Sequence, residues 1–331
     1  MKKGKVSESV LKRSILRQIK TTRKEVLSGA GVGYDCAIFA FSDKEAIASC
    51  MQEAAVRVEA ARYDTAMVSG RMSMSQLLYK CANNLAASGA TPVAVMITLL
   101  LPEAIAEPEI KQLMQEAEKI CAELSIQITG GQSRVDSAVS SPFAIVTGYG
   151  RLQGKEAHTV QLAKPGQDVV ISKWIGLEGT AILAKAYREK LLDRYPAYLV
   201  DEAETFDRYL SILPEAATAM KSGVCAMHDG SEGGIFATLW ELAEGAGVGL
   251  TIDLKKLPIR QETVEVCECC NENPYELKAG GCLVMTSEDG LGLVTALQAE
   301  GIPAVVVGKV TDSKDRIIRN GDEVRFMDRP R

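Results

Sequence analysis

The stretch from Val224 to Ala243 constrains the fold of this chain more than any other. Val224-Cys225-Ala226-Met227 is a short apolar run of strand character, and Ile235 to Ala243 repeats apolar residues at helical spacing. Between them lies the polar, glycine-rich turn His228-Asp229-Gly230-Ser231-Glu232-Gly233-Gly234. A strand that feeds directly into a helix belongs in an α/β layer. The turn also gathers backbone N–H groups, a carboxylate and an imidazole at the start of that helix. Such a turn can hold phosphate on the helix N-terminus while a carboxylate holds its metal. It would serve equally as a plain connection, with Ser231 as N-cap and glycines that ease the bend. Taken alone, the turn does not choose between the two.

The rest of the chain repeats the same alternation. Ser9 to Glu25 has the spacing of an amphipathic helix. Gly29 to Asp35 is a glycine-rich loop running into a strand at Cys36 to Phe41, and Glu45 to Met51 can pair with that strand as a hairpin. Loop before strand is the reverse of a dinucleotide fingerprint, and no Gly-Lys-Ser/Thr follows to make a P-loop. Gly31 and Gly33 could still admit a phosphate, with Asp35 placed to hold a divalent cation. Ser69 to Ser88 reads as a helix, and two successive poor helix formers within it, Asn83 and Asn84, suggest side-chain work. Val93 to Leu101 is too continuously apolar for a one-sided sheet, which predicts burial on both faces. A helix at Glu107 to Leu124 and a strand at Ile126 to Thr129 follow, the strand ending in Gly130-Gly131-Gln132-Ser133-Arg134, with a further strand at Phe143 to Thr147. The pattern lapses from Arg151 to His158, which places a domain junction there. Strands and helices then alternate again, and the chain closes on a hairpin turning at Asn320-Gly321.

Bulk properties exclude several classes. With 331 residues the chain is long for one core, so two domains are expected, 1–155 and 156–331. A formal charge of −5 without a long basic run gives no footprint for nucleic acid. No apolar run approaches a membrane span and the basic start lacks a signal-peptide core, so a cytoplasmic protein without membrane contact is expected. Nine cysteines scattered among predicted elements fit free thiols better than a disulfide framework. Cys267-Glu268-Cys269-Cys270 contains a C-x-x-C spacing, but only Cys282 lies near enough to add a ligand, so ordinary helical thiols are expected.

Several separated motifs occur in one order: Gly31-x-Gly33-x-Asp35-Cys36-Ala37, Asn84 to Ala90 followed by Pro92, and Gly130-Gly131-Gln132-Ser133. Gly176-x-Glu178-Gly179-Thr180, the His228 to Gly234 turn and Gly308-Lys309-Val310-Thr311 complete the set. This order resembles the aminoimidazole ribonucleotide (AIR) synthetase-like, or PurM-like, superfamily of ATP-using enzymes, and the match is closest to its HypE-like branch. The resemblance implies an α/β (α+β) fold of two domains, an N-terminal sheet domain that dimerises as a barrel and a C-terminal α/β domain. It implies ATP and Mg²⁺ in a cleft, and phosphoryl transfer that activates a carbonyl or amide oxygen of a small-molecule or protein-borne substrate, or direct phosphorylation. By that resemblance Asp35 and Asp229 are the metal ligands, and His228 orients the neighbouring carboxylate or touches substrate. Gly31, Gly33, Asn84, Gly130, Gly131, Gln132, Arg134, Glu178, Gly233 and Gly234 shape the nucleotide cleft.

The departures from the family pattern carry equal information. Asn83-Asn84 stands where the family has Asn-Asp, and Gly130-Gly131-Gln132-Ser133-Arg134 stands where HypE-like proteins have Gly-Gly-His-Thr-Glu. Losing carboxylates weakens a two-Mg²⁺ site, because hard cations need anionic oxygens. Arg134 could instead pair bidentately with phosphate. The last cysteine is Cys282, so the dehydration that HypE performs on its own C-terminal cysteine is not expected. The alternative to an enzyme is a nucleotide-binding regulatory homodimer that has kept the fold without catalysis.

Overall fold

The computed structural model describes residues 8, 12, 16, 25–28, 31–40, 42, 44–57, 71–154, 157–230 and 232–330. The helix expected over 9–25 lies outside these except at Lys12, Leu16 and Glu25, and so does Ser231. The first half of the chain builds one sheet. Its elements are β1 (Val26–Ser28), β2 (Ala37–Ala40), β3 (Glu45–Val56), β4 (Arg71–Met72), α1 (Met74–Ala87), β5 (Thr91–Leu101), α2 (Glu107–Glu123), β6 (Gln127–Val135) and β7 (Phe143–Gln153). The strand order is β1-β2-β3-β7-β5-β6, with β4 added in parallel beside β3.

Helix α1 begins later than its apolar spacing suggests because Ser73 caps it. The Ser73 hydroxyl accepts the Gln76 N–H at 3.1 Å, and the Gln76 side chain accepts the Ser73 N–H at 3.0 Å. The helix stops at Gly89, which takes φ +83°, a conformation open to glycine. Leu77, Leu78, Cys81 and Leu85 pack from α1 onto Ile38, Cys50, Ile97 and Val146 of the sheet. At about 2 kcal/mol for each fully buried leucine, this one helix face is a main source of the half's stability.

Two expectations are corrected here. Strand β5 is not buried on both faces in the chain: Val95, Ile97, Leu99 and Leu101 are buried, while Val93 and Met96 are 50% and 40% exposed. Together with Phe39 and Met51 they leave an apolar surface on the side away from α1. The glycines at 130 and 131 do not end a strand, because β6 runs through them to Val135 as a parallel partner of β5. A side chain at Gly131 would put its Cβ 1.8 Å from the Ile97 carbonyl oxygen, so close strand approach requires glycine there.

The second half forms another sheet. It comprises β8 (Asp168–Ser172), α3 (Leu177–Ala186), α4 (Arg188–Leu192), α5 (Ala197–Glu204), α6 (Leu213–Met220), β9 (Val224–Asp229), α7 (Gly234–Ala246), β10 (Gly249–Asp253) and α8 (Gln261–Cys270). Then come β11 (Leu283–Ser287), α9 (Gly290–Ala299), β12 (Ala304–Thr311), β13 (Arg316–Asn320) and β14 (Glu323–Phe326). The order β14-β13-β10-β12-β8-β11-β9 is antiparallel except between β10 and β13. The Asn320-Gly321 turn joins β13 to β14 as expected. Ile235, Leu239 and Leu242 of α7 cover one face. The other is covered by Ala216 and Ala219 of α6, Leu293 and Leu297 of α9, and Ala86 and Ala87 of α1. The end of α1 thus belongs to both cores and joins the two sheets. Cys267 and Cys269 are buried on α8, as ordinary helical thiols would be.

Candidate functional site

Strand β9 lies at one edge of the second sheet and delivers His228 and Asp229 at its end, both 3% exposed. His228 is held from two sides. Its Nδ1 lies 2.9 Å from Asp35 Oδ2, and its Nε2 lies 3.3 Å from Glu241 Oε2 on α7. Burial disfavours the charged imidazolium, but Asp35 and then Glu241 outweigh it and push the His228 pKa up to about 10. At neutral pH His228 is therefore a cation between two carboxylates, and Asp35 is its counter-ion. This cluster ties the loop before β2 to the second sheet.

The glycine loop that carries Asp35 rests on α7. Gly33 has φ +73°, and a side chain there would place its Cβ 2.4 Å from the Glu241 carbonyl oxygen. Its freedom is used for close contact with a helix, a use the glycine pattern alone does not reveal. At the other end of the β9 turn, Gly233 and Gly234 also have positive φ, and a Cβ at Gly234 would meet the Tyr275 carbonyl oxygen at 2.4 Å. The strand–helix bend therefore demands the pair of glycines whatever binds nearby.

Asp229 faces away from the histidine, into a cleft between α1 and the second sheet. Lys80 and Asn83 of α1 line one side, and Glu178, Asp229, Glu232 and Lys278 line the other. Glu178 enters from the first turn of α3, and Gly280 makes room for it, since a Cβ there would lie 2.4 Å from Glu178 Oε2. Asp229 Oδ1 and Glu178 Oε1 are buried without a hydrogen-bond partner. Burial, with the Asp35 and Glu178 charges added, raises the Asp229 pKa well above the usual carboxylate range. Burial also raises that of Glu178, against the pull of Lys278 and Lys80. Orphaned, poorly compensated carboxylates are what a cation would relieve, so this donor set fits the Mg²⁺ that the resemblance implies. Among the described residues no three acidic, histidine or cysteine side chains converge on one point, so water and phosphate oxygens would complete the shell.

The remaining residues expected at the site are dispersed. Gly130, Gly131, Gln132 and Arg134 lie on exposed β6 and do not line this cleft. Arg134 pairs with Asp136 at 3.0 Å. Asn84 is buried and its backbone carbonyl accepts from Cys36 Sγ at 3.2 Å. Its neighbour Asn83 does more. Its amide donates to the Leu210 carbonyl at 2.8 Å and its carbonyl accepts the Ile212 N–H at 3.0 Å, fastening α1 to the second half. Lys80, Lys278 and Glu241 carry no motif, and sequence reading missed them. The spacing of Lys80, one helical turn before Asn83, is the one signal that could have found any of them.

Two sheets joined through one helix, with a charged cleft at the joint, define a two-domain α/β protein of PurM-like fold. The chain belongs to the AIR synthase-related family: the model of that family's N-terminal domain matches residues 33–152, and that of its C-terminal domain matches residues 164–319. A Methanocaldococcus jannaschii protein assigned to hydrogenase expression and formation is 25% identical over 99% of this chain and 94% of its own length. The carbamoyl dehydratase HypE of Rhodobacter capsulatus is 26% identical over 69% of this chain and 66% of its own. Among solved structures, a HypE–HypF complex aligns with a TM-score of 0.76 at 20% identity, covering 97% of this chain and 100% of that one. HypE in complex with ATP aligns with a TM-score of 0.70 at 16% identity, covering 99% and 95%. Among the described residues, no helix is long and apolar enough to cross a membrane.

Proposed function

We propose that this chain is an ATP- and Mg²⁺-dependent enzyme that activates a carbonyl, amide or similar oxygen by phosphoryl transfer, as a cytoplasmic homodimer of domains 1–155 and 156–331. The observation that carries the reading is the pair of buried, unpartnered carboxylates, Asp229 and Glu178, facing Lys80 and Lys278 across one cleft. Mg²⁺ bound there would offset the charge of the transferred phosphoryl group. Asp229 holds the cation, and the lysines meet phosphate oxygens without needing a bidentate fork. His228, charged and clamped by Asp35 and Glu241, fixes the strand end that presents Asp229. The similarity to HypE proteins, one of them solved in complex with ATP, supports the nucleotide. The apolar surface of Phe39, Met51, Val93 and Met96 supports the dimer, whose mass sedimentation would report.

Thermal melting with a non-hydrolysable ATP analogue and Mg²⁺ tests the reading, followed by ATP turnover with a panel of small amides and carboxylates. A melting shift with turnover is expected. A shift without turnover for any acceptor, unchanged in Asp229→Asn, would leave a nucleotide-binding regulatory dimer in its place. No shift with nucleotide and metal together would remove the nucleotide site altogether.

A further inference from the structure

Resting on that reading of the cleft, we infer that the two protein carboxylates of the cation site are Glu178 and Asp229, with Lys80 and Lys278 as the phosphate-binding pair, and that Asp35 is no ligand. Three independent observations converge on this. First, Glu178 and Asp229 enter one cleft from different elements, α3 and β9, are 8% and 3% exposed, and each keeps one oxygen without a partner. Second, the cations at hand do not satisfy them: Lys80 and Lys278 reach instead toward Glu232, at 3.8 and 4.0 Å. Contacts that long leave both ammonium groups available to a ligand, and their side chains remain 23% and 30% exposed. Third, Asp35 is already committed, with Oδ2 at 2.9 Å from a histidine that is itself bracketed by a second carboxylate. Drawing Asp35 onto a metal would take from the buried His228 ring its partner at Nδ1 and leave it held by Glu241 alone.

The packing around Glu178 supports its role. A residue larger than glycine at 280 would collide with Glu178 Oε2 at 2.4 Å, so the backbone has been kept clear for this carboxylate. Gly230, next to Asp229, likewise has no room for a side chain, since a Cβ would lie 2.7 Å from Cys282 Sγ. Two carboxylates with water and phosphate oxygens are an ordinary Mg²⁺ shell, because this ion keeps several waters and seldom sits in an all-protein cage. Two lysines on the phosphates give charge neutralisation without the planar fork that arginine would impose.

Mn²⁺ binding in the presence of a non-hydrolysable ATP analogue tests the assignment, with free Mn²⁺ read by electron paramagnetic resonance. Glu178→Gln is expected to weaken Mn²⁺ at least tenfold and Asp35→Asn less than threefold. Lys80→Met with Lys278→Met is expected to weaken the analogue at least tenfold at saturating Mn²⁺. Equal or greater loss of Mn²⁺ affinity in Asp35→Asn than in Glu178→Gln would overturn the assignment. A wild-type experiment guards against misfolded variants: Fe²⁺ with the analogue, ascorbate and peroxide should cut the backbone mainly at 176–180 and 228–230. Cutting centred on 33–36 would overturn the assignment as well. Wild-type protein that binds the analogue while Glu178→Gln keeps full Mn²⁺ affinity sinks this inference alone. Wild-type protein that binds no nucleotide sinks the proposed function, and the Mn²⁺ comparison without nucleotide still decides between Glu178 and Asp35.

Discussion

Raising the pH from 7 to 9 should destabilise this protein through His228, and the size of the effect follows from the site. The imidazole is buried and lies against Asp35 and Glu241, which lift its pKa from 6.5 to about 10. A histidine with a raised folded-state pKa contributes stability that is fully present below the unfolded value near 6.5. That contribution is lost as pH rises through the folded value near 10. Each pH unit within that window removes about 1.4 kcal/mol, so the step from pH 7 to 9 removes about 3 kcal/mol. At roughly 2 °C per kcal/mol for a long chain, the melting temperature should fall by about 6 °C. Cysteine thiols of the unfolded chain titrate in the same range, so the informative quantity is a difference between proteins. Melting curves and urea unfolding for wild type and His228→Gln should be collected at half-unit steps from pH 6 to 10. The variant should be less stable at pH 6.5, and the gap should close by about 3 kcal/mol toward pH 9. A gap that stays constant with pH would mean that His228 is neutral in the folded protein, and the ion cluster would then be a pair of ordinary hydrogen bonds.

Asn83→Ala should destabilise by about 2–3 kcal/mol, because it leaves the buried Leu210 carbonyl and Ile212 N–H without partners; urea unfolding checks this. Asn83→Asp should fail to restore stability at neutral pH, because it keeps the acceptor for Ile212 but turns the donor to Leu210 into a repelled oxygen. Gly33→Ala should destabilise by about 2 kcal/mol or more, since both its φ of +73° and the 2.4 Å approach to Glu241 oppose a side chain. An unchanged melting temperature in Gly33→Ala would show that the loop does not rest on α7.

The alternation of apolar runs with helical periods was enough to read most elements of both sheets. The strand read at Val224 to Met227 is present and runs on through His228 and Asp229, its helix follows, and the Asn320-Gly321 hairpin stands where its residues placed it. The failures share a cause. Glycine reads as a stop, yet β6 continues through Gly130 and Gly131 because the parallel partner β5 supplies the ladder and demands a side-chain-free approach. An uninterrupted apolar run reads as two-sided burial, yet β5 has one open face, and sequence cannot distinguish a face covered within the chain from one left to another molecule. Ser73 overrode helical spacing at the start of α1, since a satisfied capping box ends the competition locally.

The site was legible where its chemistry sits in a contiguous motif and illegible where it depends on contacts distant in sequence. His228 and Asp229 announce themselves, but nothing in sequence says that Asp35 will be drawn 193 positions away to the histidine. The same holds for Asn83, whose partners lie 127 and 129 positions on. This bears on the carboxylates that the family pattern has and this chain lacks. With amides at 83 and 84 and an arginine at 134, the first half appears stripped for catalysis when read as sequence alone. In the fold, Asn83, where the family also has asparagine, holds the two halves together, and Asn84, in the position of the family's aspartate, is buried beside Cys36, whose thiol donates to its backbone carbonyl. The acids that remain uncommitted both belong to the second half. A cation site built there needs no carboxylate from the first half, which instead contributes Lys80 from α1. Loss of the first-half acids is therefore compatible with a working site, and metal affinity in Glu178→Gln, more than any count of missing family residues, decides whether that site exists.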